Sequence, residues 1–134
     1  MTPWTMGAVE LAAAIREKQF SAVELLDAFL ARVERYNPAL NAIVVFDTEA
    51  ARQAARAADA ALAAGRPCGP LHGVPMTVKD SFDLANHPST FGRPERRDHR
   101  ASRDALAVER LKAAGAVVFG KTNVPIDLAD WQSF

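Results

Sequence analysis

Gly69-Pro-Leu-His-Gly-Val-Pro-Met-Thr-Val-Lys-Asp-Ser-Phe-Asp83 is the stretch whose reading decides the fold. It opens on turn formers, Gly69-Pro70 and Gly73, with Pro75 close behind. The apolar run Val74 to Val78 is too short for a helix and is bounded as a strand is. Lys79 stands at its C-terminal end, with Asp80 directly after it. In α/β proteins the C-terminal ends of parallel strands are where ligands and reacting groups gather. A lysine there is a candidate proton-handling group, because desolvation favours the neutral amine. The plainer reading is a solvated strand-end lysine paired with Asp80 or Asp83.

On both sides of this stretch the elements are α/β in character. Thr5 can cap a first helix to about Lys18, with Val9, Leu11, Ala12 and Ile15 on its apolar side. Ser21-Ala-Val-Glu24 has the form of a capping box and starts a second helix. Val23, Leu26, Phe29, Leu30 and Val33 repeat along it at helical spacing, and Asn37-Pro38 is expected to end it. Ala42 to Phe46 is a β-branched run, hence a strand. From Asp47 an alanine-rich helix reaches about Ala64 and stops at Gly65. Alanine favours helix but buries little area, so this helix is expected to pack closely.

Beyond Lys79, residues 81–102 hold Pro88, Gly92 and Pro94 and no sustained period. A loop of that length in a compact domain is uncommon and often functional. Its hydroxyls Ser89 and Thr90 are expected to bond to nearby backbone. Its arginines (Arg93, Arg96, Arg97, Arg100, with Arg103 just after) are diluted by Glu95 and Asp98 and read as a solvated surface. Asp104 is placed to cap a helix to Ala114 that closes at Gly115, and Ala116 to Phe119 is a third strand. Strand, helix, strand implies a parallel crossover. Gly120-Lys121-Thr122 lacks the glycine-rich loop of a phosphate-binding motif, so a nucleotide site is rejected. Lys121 divides evenly between a structural role and lining a pocket. Val124 to Phe134, with Pro125 in its first turn, has the form of a further helix.

Composition bounds the class. The 134 residues make at most one domain, and 49% hydrophobic content suffices for a core. Sixteen basic and sixteen acidic residues give no net charge, so no nucleic-acid partner and no anionic membrane is expected. Cys68 is the sole cysteine, which excludes an internal disulfide and fits a reducing compartment. His72, His87 and His99 are too scattered for a metal cluster, and nothing implies a cofactor. With no leader and no bilayer-length apolar run, the expected location is cytoplasmic.

Three segments together carry a family resemblance: Gly69-Pro-Leu-His-Gly-Val-Pro, then Val78-Lys79-Asp80, then Gly115 to Asn123. The chain resembles the amidase signature family from about Ser21 onward. The fold this implies is an α/β arrangement in which N-terminal helices precede strand-helix-strand units of a mixed sheet with flanking helices. The resemblance assigns Lys79 to a Ser–cis-Ser–Lys triad acting on carboxamides, and places Lys121 outside that triad. It further implies a nucleophilic serine, a bridging serine and an oxyanion loop within a Gly/Ser-rich stretch. Ser21, Ser81, Ser89, Ser102 and Ser133 lie in no such context. The expectation is therefore the N-terminal part of one amidase domain, spanning residues 1–134, inactive alone. It is expected to associate with itself or with the missing C-terminal part, and the complete enzyme to take a small amide substrate. An amidotransferase A-type subunit that amidates Glu-tRNA(Gln) and a non-catalytic scaffold on the same half-fold are the alternatives.

Overall fold

A computed structural model describes residues 2–129. Three strands form a mixed sheet in the order β1-β3-β2, where β1 is Ile43–Phe46, β2 is Pro75–Lys79 and β3 is Val117–Thr122. β2 and β3 run parallel, and β1 pairs antiparallel with β3. The helices are α1 (Ala8–Arg16), α2 (Ala22–Leu40), α3 (Thr48–Ala63) and α4 (Leu106–Ala113). α4 lies in the connection between the parallel strands, as a crossover requires.

Each face of the sheet is covered differently. Val117 and Phe119 pack with Ala22 and Leu26 of α2 and with Ala51 and Ala55 of α3. The alanines keep that contact close, as their small side chains dictate. On the opposite face Val78 and Val118 meet Leu84 and Val108. A third cluster, Leu11, Ala12, Ile15, Leu25 and Val74, joins α1 and α2 to the start of β2.

The strand β3 is bulged. Met76 is level with Val118, but Thr77 is level with Gly120, so Phe119 is one residue extra against β2. Strand alternation restarts past the bulge, which turns Lys121 onto the face of Val78 and Val118. An unbroken register would send Lys121 toward α2 and α3. Gly120 is required here for space, because a Cβ would stand 2.4 Å from the Val45 carbonyl oxygen of β1. Gly115, at φ +96°, is held even more tightly: a Cβ would stand 2.1 Å from the Cys68 carbonyl oxygen.

Several helix boundaries differ from expectation. The first helix starts at Gly7, not Thr5; Glu10 accepts the Gly7 N–H at 2.7 Å, and Pro3–Thr5 forms a separate 3-10 turn. The Ser21 capping box is present: Ser21 Oγ accepts from Glu24 N, and Glu24 Oε2 accepts from Ser21 N. The Ser21 N–H and hydroxyl, both donating to Glu24 Oε2, hold that carboxyl below its usual range. Pro38 does not end α2, which runs through it to Leu40. Proline at the last turn costs one helical bond, and Asn41 in the left-handed region closes the helix directly after Leu40. Asn37 then braces the exit by bonding both the N–H and the carbonyl of Ile43. Asp104 does not cap α4; its carboxylate accepts from Ala85 N at 2.8 Å and pairs with Lys112 at 2.6 Å. β3 continues past Phe119 to Thr122. Instead of a helix after Val124 there is a 3-10 turn, Ile126–Leu128, with Asp127 at φ 53°; residues 130–134 of that expected helix lie outside the described residues.

Gly120→Ala is expected to cost about 1–3 kcal/mol, the usual range for overpacking a filled site. Chemical denaturation of the variant beside the parent chain measures it.

Candidate functional site

At the C-terminal ends of the parallel strands Asp80 and Lys121 form a buried ion pair. Their side chains are 2% and 0% exposed, and Lys121 Nζ lies 3.2 Å from Asp80 Oδ1. The ammonium also donates to Ser89 Oγ at 2.8 Å and to the Pro88 carbonyl. An ammonium has three N–H donors, and here three acceptors surround it. Asp80 Oδ2 accepts from Thr90 N at 2.9 Å, Thr90 Oγ1 at 2.7 Å and Phe91 N at 3.1 Å. Among the described residues, Oδ1 has only the Lys121 contact, an ion pair without an aligned hydrogen bond.

The cluster gathers three parts of the chain. Asp80 follows β2, Lys121 lies within β3, and Pro88 to Phe91 come from the 81–102 loop. Burial pushes the Lys121 amine down from the usual lysine range, while the charges of Asp80 and Asp83 pull it up. Ser89 and Lys121 resemble a Ser–Lys catalytic pair in chemistry, but both are fully buried. Lys121 donates to Pro88 O and Ser89 Oγ and is ion-paired with Asp80, and its role is to hold the loop on the sheet.

Lys79 is level with Thr122 at the end of β2, and its side chain is exposed. The expected burial at the strand end falls on Lys121 instead. Nor does Lys79 pair with Asp80 or Asp83: among the described residues its side chain makes no hydrogen bond or ion pair. Strand alternation accounts for this. Neighbouring residues point to opposite faces, so a buried Asp80 leaves Lys79 on the other side. The same rule, applied to the sequence, would have separated the two side chains. No rule of spacing could have matched Asp80 with Lys121, forty-one residues away.

The loop is anchored rather than floating. Arg93 pairs with Asp127 through both carboxylate oxygens and with Glu95 at 3.0 Å, which raises the guanidinium further above its usual range. Arg96 lies over the Phe91 ring at 5.4 Å. The backbone bonds Asp127 N→Phe91 O and Asn86 N→Ala101 O fasten both ends. A cleft of about 340 Å³ remains beside the pair, lined in part by Val45, Asp80, Thr90, Arg97 and Asn123. Among the described residues no three His, Cys, Asp or Glu side chains come together as metal ligands do. No helix among them is long and apolar enough to cross a membrane.

Comparison with known proteins identifies the class to which this geometry belongs. The Amidase family model matches residues 24–130, and the chain belongs to that family. It is 47% identical over 122 residues to indoleacetamide hydrolase of Bradyrhizobium diazoefficiens, covering 91% of this chain and 23% of that protein. It is 48% identical over 115 residues to the A subunit of the Glutamyl-tRNA(Gln) amidotransferase of an Azoarcus species, covering 86% and 23%. The native peptide amidase of Stenotrophomonas maltophilia superposes with a TM-score of 0.80 at 33% identity, over 89% of this chain and 25% of that one. The chain thus spans about a quarter of the length of these relatives.

Asp80→Asn removes the counter-charge of a buried ammonium. We expect a loss of about 3–5 kcal/mol in folding stability, the usual cost of breaking one side of such a pair. Lys121→Ala is expected to fall in the same range, and thermal unfolding of both variants is the measurement.

Proposed function

We propose that these 134 residues form the lysine-bearing part of a hydrolase that cleaves carboxamide C–N bonds. The observation that carries the reading is Lys79: an exposed amine at the end of a parallel strand, at the position of the family's Val-Lys-Asp motif. In the complete enzyme the Lys79 amine takes a proton from a bridging serine, which takes one from the nucleophilic serine. The serine oxygen attacks the amide carbonyl, the amine leaves with a proton, and water releases the acyl group as a carboxylate. Both serines, and the donors that stabilise the oxyanion, come from outside these 134 residues. Substrate is proposed at the level of class. Indoleacetamide hydrolase and peptide amidase are both named for amide substrates, and this supports a carboxamide.

Near-equal identity to an amidotransferase chain supports a second reading, amidation of Glu-tRNA(Gln). A net charge of zero and an arginine loop tied into local ion pairs favour the hydrolase. The sheet also bears on partners. β1 and β2 each pair on one side only among the described residues, and Val44, Phe46 and Leu40 are exposed. Unpaired strand edges beside apolar side chains favour association. We propose that this surface meets a second copy or the remaining part of an amidase domain, within the cytoplasm.

The purified chain is expected to leave indole-3-acetamide and simple peptide amides intact. Turnover that disappears in Lys79→Ala would overturn the inactive-alone reading while supporting the role of Lys79. Sequencing past codon 134 for a Gly/Ser-rich frame tests the same reading independently. Sedimentation is expected to show a concentration-dependent mass, and a monomer with one sharp unfolding transition would count against association.

A further inference from the structure

We propose that Asp80 is a positioning residue for Lys79: its carboxylate, locked on the inner face, dictates the face from which the Lys79 amine projects. The inference rests on the reading of Lys79 as the proton acceptor. Lys79 makes no side-chain hydrogen bond or ion pair among the described residues, so its direction comes from the backbone that carries it. That backbone ends the β2–β3 ladder, with Lys79 level with Thr122, and is held at one further point on each side. Asp80 N donates to Thr122 O at 3.0 Å, and Phe82 N donates to Lys79 O at 2.9 Å. β2 ends at Lys79, so the ladder and these two bonds leave the strand end less firmly held than its interior unless a side chain pins it as well.

The Asp80 side chain supplies the missing constraint. Thr90 N, Thr90 Oγ1 and Phe91 N hold Oδ2, and Lys121 neutralises Oδ1. Phe91 keeps a positive φ of 55° in the turn that aims its N–H at Asp80. Such a conformation persists only where surrounding structure over-determines it. With Asp80 immobile on the loop face, alternation places Lys79 on the face of Thr77. Lys121 is the counter-ion that lets a carboxylate stay buried there, and the bulge at Phe119 brings it to the correct side.

The test uses the whole 134-residue chain and two double variants. Asp80→Leu/Lys121→Met removes both charges and the acceptor for the loop amides. Asp80→Asn/Lys121→Met also removes both charges but keeps a carbonyl oxygen for Thr90 N and Phe91 N. Replacing both partners avoids the unpaired buried charge that a single substitution leaves. NMR relaxation reads the order parameter of the Lys79 amide and of its side-chain methylene groups. In the leucine variant the Lys79 amide is expected to fall from about 0.85 to below about 0.6, with residues in α2 and α3 unchanged. The asparagine variant is expected to restore most of that order. Unchanged order at Lys79 in the leucine variant would overturn the proposal. So would equal loss in both variants, or loss throughout the chain, since either would make the pair a general requirement of folding. The order parameter is independent of whether Lys79 accepts a proton, so a failure here is distinct from a failure of the amide-hydrolysis test.

Discussion

A carboxylate and an ammonium excluded from water sit where β2, β3 and a long loop meet. Bringing both out of water is costly, and the arrangement persists because nearly every strong donor and acceptor in it has a partner. Lys121 has three oxygens around it; Asp80 Oδ2 has three donors. The loop of residues 81–102 has little secondary structure beyond a 3-10 turn and one isolated bridge. It is held mainly by this pair and by the Arg93–Asp127 clamp at its outer side.

The pair in turn depends on a defect in the sheet. Regular pairing of β3 with β2 would carry Lys121 to the helix face, into contact with Ala51, Ala55 and Phe119. One extra residue reverses that, and Gly120 lets β1 lie alongside, since β1 passes too near for any side chain there. A backbone irregularity and one missing Cβ thus decide the electrostatics of the strand ends.

The two lysines on this rim differ in kind. Lys121 is saturated with acceptors and inaccessible, which suits it to hold structure. Lys79 is exposed and its side chain makes no hydrogen bond or ion pair among the described residues, as the role proposed for it requires.

Much of this was legible in local sequence. The capping box at Ser21, the β-branched run before Asp47, the alanine helix, the crossover to Val117 and the strand ending at Lys79 are all marked by residue type and spacing within short segments. The family motifs, likewise, are short and continuous. Boundaries failed where a distant group competed with the local signal: Ala85 and Lys112 draw Asp104 away from capping α4, and Asn37 bonds Ile43 beyond the proline. Only the tertiary structure could decide that Asp80 belongs to Lys121. That match needs the parallel register, the bulge that flips one strand and the loop that closes over both, and each is a contact between residues far apart in sequence. Side-chain type and spacing carry the chemistry that is available; burial, which no single segment sets, separates the enclosed Lys121 from the exposed Lys79.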